Sequence, residues 1–263
     1  MKWYHEGLQN LSRGSDSSRA CFYFCYNILM EELIENLIRD GYLKTPLIIE
    51  AFRKIDREDF VINEFKEYAY ANEPLQIGYG QTISQPLTVA FMLELLQPYP
   101  GDKILDIGSG SGWQTALLAY IVSQGKPAAS PDLSGQAGGP ATISPKANLG
   151  GVYAIDRIPE LVEFGKKNVA KYNFLEKGIV EFIWGDGSSG WPNVNMYPEL
   201  SEGFDKIICA ASAEQIPKQW KKQLKINGRL VAPVKNSIWL SIKKGKDEFE
   251  EQEFPGFAFV PLI

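Results

Sequence analysis

Histidine is almost absent from this 263-residue sequence, where His5 is the only one. That leaves no imidazole for a Ser-His-Asp or Cys-His arrangement and none to spare for a histidine-rich metal site. Cysteine is nearly as scarce. Cys21, Cys25 and Cys209 fit neither a disulfide framework nor the paired spacing of a zinc site, so no metal is expected and a reducing compartment is the simpler reading. Cys209 sits in the apolar run Ile207-Ile208-Cys209-Ala210 and reads as a buried, inert thiol. Long apolar runs are missing too: the aromatic stretch Cys21 to Tyr26 is too short to span a bilayer, and no small-residue cleavage site follows it. Positive charge is not in excess either. A net charge of −5 gives no electrostatic footprint for a nucleic-acid backbone. The expectation is a cytoplasmic monomer with neither nucleic acid nor membrane as a partner, whose chemistry proceeds without imidazole.

What is present is enough apolar material for one core: 44% of the residues are hydrophobic and 22% charged. Residues 1–29 differ from the rest, with a serine-rich polar stretch from Ser12 to Arg19 before the aromatic run. They are expected to form a poorly ordered extension, with Met30 as the natural start, because Leu33, Ile34, Leu37 and Ile38 begin a helical periodicity there. Residues 30–263 are then a single domain. Thr45-Pro46 has the form of an N-cap followed by proline at the first helical position, predicting a helix over Leu47 to Lys54. Another apolar helix is predicted over Leu87 to Leu96.

Beyond that point strand and helix alternate. Strands are predicted at 103–107, 151–155, 179–183, 204–210 and 228–234, and helices at 112–123, 159–172 and 214–224. Near-continuous apolar strands separated by amphipathic helices define an α/β class with a doubly wound, mostly parallel sheet. Ser237 to Ile242 and Phe257 to Leu262 are expected to complete the sheet, with antiparallel pairing at one edge. The segment Gln124 to Gly150 is rich in proline, glycine, serine and alanine and holds no aromatic residue, so it reads as a mobile insertion. It follows the helix after the first strand and so falls at the amino-terminal edge of the sheet, away from the carboxyl edge where ligands bind.

Two segments carry the chemical signal. Lys103-Ile104-Leu105-Asp106-Ile107-Gly108-Ser109-Gly110-Ser111-Gly112 is a buried strand entering a glycine turn, with G-x-G-x-G spacing rather than the G-x-G-x-x-G of dinucleotide folds. A second strand ends in Asp156, placed to accept hydrogen bonds from both ribose hydroxyls of a nucleotide-type cofactor, the alternative being a solvated surface carboxylate. Asp186, in Gly185-Asp186-Gly187, follows the third strand and is similarly placed for an adenine amino group, the alternative being an ordinary turn aspartate. Upstream, Gly78-Tyr79-Gly80-Gln81-Thr82-Ile83-Ser84-Gln85-Pro86 places hydroxyl and amide side chains just before the glycine turn, as a substrate clamp would. Read by itself, Ser84 before Pro86 has the form of a turn serine that caps the next helix.

Gly80 to Pro86, Leu105 to Gly112, Gly185-Asp186-Gly187 and the terminal Phe259-Val260-Pro261-Leu262 together resemble the protein-L-isoaspartate O-methyltransferase family. The match runs in order from about Met30 to the last residue, apart from the insertion. The glycine turn is shared by many methyltransferases, whereas the Gln-Thr-Ile-Ser-x-Pro clamp is more diagnostic. The resemblance implies a Rossmann-like fold binding S-adenosylmethionine as methyl donor. The acceptor it implies is the free α-carboxylate of an L-isoaspartyl residue in damaged protein. Methyl esterification would activate that carboxyl for succinimide closure, and hydrolysis would return part of the material to aspartate. On this basis Ser84 would touch the acceptor, with Gln81, Thr82, Ile83, Val260 and Pro261 around the substrate. Asp106, Gly108, Ser109, Gly110, Gly112, Asp156, Asp186 and Gly187 would surround the cofactor. The reaction suits the inventory, because a carboxylate is already nucleophilic at neutral pH and needs no general base. The sequence departs from the family at Ala210-Ala211-Ser212-Ala213, where an alanine-proline pair is common, and it runs little beyond the Phe-Val-Pro-Leu segment. Both departures predict an altered or weaker grip on peptide.

Three other readings compete: a methyltransferase for a small molecule or RNA, a cofactor-binding protein without turnover, and a nicotinamide dehydrogenase. Ala210 to Ala213 lacks the Asn/Asp-Pro-Pro-aromatic signature of amine-methylating nucleic-acid enzymes. The intact Gly108, Gly110, Asp156 and Ser84 weigh against loss of turnover, and the glycine spacing weighs against a dehydrogenase.

Overall fold

The computed structural model describes residues 16–125, 150–192, 194 and 197–262, with side chains from residue 28 onward. Its centre is a seven-stranded sheet of β3 (Lys103–Ile107), β4 (Gly151–Asp156), β5 (Val180–Trp184), β6 (Phe204–Cys209), β7 (Leu224–Val234), β8 (Ser237–Lys243) and β9 (Phe249–Pro255). Its order is β5-β4-β3-β6-β7-β8-β9. β3 to β7 are parallel and β8 and β9 antiparallel. A separate antiparallel hairpin joins β1 (Leu75–Gly78) to β2 (Gln81–Ile83). The helices are α1 (Asp16–Arg39), α2 (Pro46–Lys54), α3 (Pro86–Leu96), α4 (Trp113–Ser123), α5 (Pro159–Ala170) and α6 (Lys218–Gln223).

Strand alternation divides the core between the two sheet faces. Ile104, Val152, Ala154, Ile208 and Val231 join the cluster covered by α2, α3, α4 and α5. Leu105, Ile107, Tyr153, Ile155, Ile207 and Leu230 join the opposite cluster, around Trp191, Phe204 and Trp220. Asp106 therefore faces the helix-covered side beneath α4, a placement fixed by period-two geometry.

The first parallel strand matches its predicted span, and the α/β class and mostly parallel sheet are as expected. Four local expectations are corrected. The first helix begins at Asp16, not Met30; residues 1–15 lie outside the described residues. Thr45 does occupy the N-cap of α2, but its hydroxyl makes no cap bond. It donates to Glu94 Oε2 at 2.7 Å, while Glu94 Oε1 accepts from Lys44 and Thr45 N–H at 2.7 and 2.8 Å, so a glutamate on α3 does the capping. The helix predicted at 214–224 is confined to Lys218–Gln223, because Ala213 is bridged to Val234 and Pro217 forms the N-cap. Finally, the sheet is completed by β9 and not by Phe257 to Leu262. On β9, Glu250, Glu251, Gln252 and Glu253 are all exposed; on an edge strand such charges discourage pairing with another chain.

The described ends of the insertion, Gln124 and Gly150, lie at the amino-terminal edge of the sheet. Gly101 N–H donates to Val122 and Gly151 N–H to Asp102, beside the start of β3. Residues 126–149 lie outside the described residues. Among the described residues no helix is long and apolar enough to cross a membrane.

Candidate functional site

A cavity of about 350 Å³ opens at the carboxyl ends of β3, β4 and β6, where the chain first runs outward to β4 and later returns to place β6 on the other side of β3. This is the switch point at which open α/β sheets bind ligands. Three stretches distant in sequence converge there: Gln81 to Gln85, Gly108 to Ser111, and Ala258 to Leu262. Gln81, Thr82, Ile83, Ser84, Gly108, Ser109, Gly110, Asp156, Asp186, Gly187, Val260 and Pro261 all line it.

Asp156 ends β4 with its carboxylate already oriented. Its Oδ2 accepts from Gly110 N–H at 2.9 Å and its Oδ1 from Ile158 N–H at 3.0 Å. Burial raises its pKa, while these two amides pull the other way. A carboxylate offers about four acceptor positions, so two remain for a ligand. Asp186 is more committed locally, accepting from Ser188 N–H and Ser188 Oγ, both at 2.8 Å, and so capping the short turn Gly187–Ser189. The turn-aspartate role and the cavity position coexist. A Cβ on Gly187 would stand 2.5 Å from Ile107 Cγ2, so that glycine lets the turn close over the end of β3.

Two residues expected around the cofactor do not line the cavity. Asp106 is fully buried and does not line the cavity; its oxygens accept from Gln114 Nε2 at 2.8 Å and Thr115 Oγ1 at 2.6 Å, tying β3 to the first turn of α4. Burial pushes its carboxyl up to about 6, against the pull of those two donors. Gly112 also lies off the cavity. At φ +84°, its missing Cβ would fall 3.0 Å from both Gly165 O and Val169 Cγ2, so it is there for the packing of α4 on α5. Both residues set the glycine turn from behind.

The clamp residues sit on β2 and its exit toward α3. Ile83 is buried and pairs with Leu75, which holds Thr82 and Ser84 at the cavity. Gln85 is the N-cap of α3, and no side-chain cap bond is made there, so Ser84 is not spent on capping. Its backbone carbonyl is held by Arg57 Nη2 at 3.1 Å, whereas its hydroxyl has no protein partner among the described residues. Opposite, the C-terminal segment is fastened to the loop after β6. Ser212 N–H donates to Val260 O at 2.8 Å and Ser212 O accepts from Leu262 N–H at 2.7 Å. Ala213 N–H donates to Pro233 O at 3.1 Å. Ser212 thus fastens the terminal segment and Ala213 ties the loop to β7, and a proline at either position would lack the donor. Cys209, just before this loop, is buried, with its thiol pushed up to about 12.

Sequence reasoning missed several lining residues. Arg157 and Ile158 follow Asp156 directly, Trp113 and Gln114 open α4, and Ala210 and Ala211 leave β6. Adjacency to a strand's carboxyl end was the available signal for Arg157, Ile158, Ala210 and Ala211, and adjacency to the glycine turn for Trp113 and Gln114. Among the described residues no group of three or more histidine, cysteine or acidic side chains is placed to hold a metal ion.

The family profile described as Protein-L-isoaspartate(D-aspartate) O-methyltransferase (PCMT) matches residues 29–263. The chain belongs to this family. Among its relatives is a protein-L-isoaspartate O-methyltransferase of Staphylothermus marinus, 39% identical over 235 residues that cover 88% of this chain and 92% of that protein. The protein of the same name from Thermococcus sibiricus is 36% identical over 237 residues, covering 88% and 91%. Among solved structures, a beta-aspartate methyltransferase (PCMT) of Plasmodium falciparum in complex with S-adenosyl-L-homocysteine superposes with a TM-score of 0.68. It is 25% identical, with 88% of this chain and 97% of that one covered. This member of the family thus has the Rossmann-like methyltransferase fold that its sequence implied.

Proposed function

We propose that this chain transfers a methyl group from S-adenosylmethionine to the free α-carboxylate of L-isoaspartyl residues in damaged proteins and peptides, the first step of their repair through succinimide. The observation that carries this reading is the convergence of the Thr82 to Ser84 clamp and the Val260-Pro261 segment with the Gly108 to Gly110 turn and Asp156 on one cavity.

The residues present fit the donor. The cavity volume is in the range of small-ligand sites. Asp156 keeps two acceptor positions for a pair of ribose hydroxyls, the Gly108 to Ser111 backbone lines the wall beside it, and Ser109 Oγ is a buried hydroxyl without a protein partner. Asp156 and Asp186 would hold the nucleoside end, with Ile158 as an apolar wall. When bound, S-adenosylmethionine supplies a methyl group on a sulfonium, electrophilic without further activation.

The task left to the protein is positioning. Ser84 Oγ, free of internal partners, donates to the acceptor carboxylate and fixes its direction, while Thr82 and Val260 bound its approach. The carboxylate arrives as an anion, so no side chain has to take a proton, consistent with the absence of histidine from the described lining. Val260 and Pro261 add apolar wall to the cavity, which limits bulk water around the reacting anion. We further propose a cytoplasmic, monomeric working form without a nucleic-acid partner, in keeping with the charge and cysteine usage.

The test is transfer of labelled methyl from S-adenosylmethionine to paired peptides that differ only in L-isoaspartate against L-aspartate, counted as base-labile methanol. Selective labelling of the isoaspartyl peptide is expected. Equal labelling of both, or of neither by protein that binds S-adenosylhomocysteine, overturns the reading.

A further inference from the structure

Arg57 lies outside every motif that pointed to the site, in the short 3-10 turn Arg57–Phe60 before the clamp. It is buried, yet among the described residues no carboxylate forms an ion pair with it. A buried cation is costly unless its donors are satisfied. Here they go to backbone carbonyls: Nη1 donates to Ala69 O at 2.7 Å and Ala71 O at 3.3 Å, and Nη2 to Glu73 O at 2.9 Å and Ser84 O at 3.1 Å. The guanidinium carbon also stands 5.3 Å from the centroid of the Trp113 ring, the first residue of α4 after the glycine turn. Nε has no partner. Burial lowers the guanidinium to about 9, with the Glu73 charge opposing, so the side chain stays cationic at neutral pH.

These contacts share a geometry. Ala69, Ala71 and Glu73 belong to the irregular lead-in to β1, Ser84 ends the clamp, and Trp113 opens the helix behind the glycine turn. A single rigid fork thus joins both ends of the β1–β2 hairpin to the cofactor side of the cavity. Ser84 is fixed through its carbonyl while its hydroxyl stays free. The geometry points to Arg57 as a positioning residue for methyl transfer: it sets the distance between the Ser84 hydroxyl and the cofactor turn by pinning the Ser84 carbonyl and packing on Trp113. This inference rests on the reading of Ser84 given above.

Arg57→Lys keeps the charge but lacks the fork needed to span four carbonyls. Misplacement by about 1 Å is worth roughly 10²-fold in rate. A fall of that order in kcat/KM for an isoaspartyl peptide is therefore expected, with S-adenosylhomocysteine binding, measured by calorimetry, retained. Ser84→Ala and Arg57→Lys should also be non-additive, because one acts through the other. Arg57→Gln, which removes the buried charge, is the second variant should lysine impair folding, and the same selective loss is expected. Wild-type turnover in either folded variant overturns the proposal. So does parallel loss of peptide turnover and S-adenosylhomocysteine affinity, or simple additivity with Ser84→Ala. Ser84→Ala with unchanged turnover refutes the reading of Ser84 instead, and is told apart because it is measured alone.

Discussion

Replacing Asp106 by asparagine separates a structural carboxylate from a ligand-binding one, and it does so through pH. The side chain is fully buried beneath α4, and its oxygens are occupied by Gln114 and Thr115. Burial is the largest influence on it and raises its pKa from an ordinary 3.8 to about 6. At about 1.36 kcal/mol per factor of ten, that corresponds to about 3 kcal/mol between its two protonation states. The folded value lies above the unfolded one, so the native state binds the extra proton. The stabilisation is fully present below pH 3.8 and is lost as pH rises through about 6. Asparagine does not titrate and mimics the protonated form. The difference in unfolding free energy between Asp106→Asn and the wild type should therefore move in favour of the variant by about 2 kcal/mol between about pH 4.5 and 7.5. Urea unfolding of both proteins at matched pH reads this directly, since other titrating groups cancel in the comparison. S-adenosylhomocysteine affinity, measured on the same samples, should change little, as Asp106 does not line the cavity. A stability difference that is flat with pH refutes the burial argument, and a large loss of affinity in folded variant refutes the assignment of Asp106 to the turn's support.

Further outcomes are expected. Ser84→Ala should lower kcat/KM for an isoaspartyl peptide by about 10- to 100-fold, the equivalent of one lost hydrogen bond to a charged group at about 1.5–3 kcal/mol, with the thermal midpoint nearly unchanged. Glu94→Ala should destabilise the fold by about 1–2 kcal/mol in denaturant titration, since it leaves the Lys44 and Thr45 amides at the start of α2 uncapped. With Cys21 and Cys25 replaced by serine, Cys209 should resist a thiol reagent in native protein and react once the chain is unfolded, because burial keeps it protonated. Excising residues 126–149, with Gly125 joined to Gly150 by a short linker, should leave peptide methylation unchanged, as both described ends lie at the sheet edge opposite the cavity.

Much of the architecture was legible because it is local. Near-continuous apolar strands between helical segments dictate a covered parallel sheet, and the span of β3 could be read to the residue. The cofactor-side candidates Gly108, Gly110 and Asp156 were legible for the same reason: strand ends and glycine turns are marked in sequence, and sheets of this type bind at their carboxyl edge. Asp106 and Gly112 carried the same marks, yet face the packing behind the turn. Alternation along β3 and the closeness of α5 decide that, and neither is a property of the motif.

The sequence by itself determined the fold class and the strand ends that border the cavity, since hydrophobic period and turn chemistry act over a few residues, and its motifs carried the resemblance to the family. Only the tertiary structure decided which of those residues reach the cavity. It brought Val260 and Pro261 to the same cavity as Ser84 through the backbone of Ser212, and it gave β9 the sheet position that Phe257 to Leu262 was expected to fill. It also buried Arg57 between the clamp and Trp113. These are contacts between segments far apart in the chain, fixed by packing and by the need to satisfy each buried donor, and no local pattern encodes them.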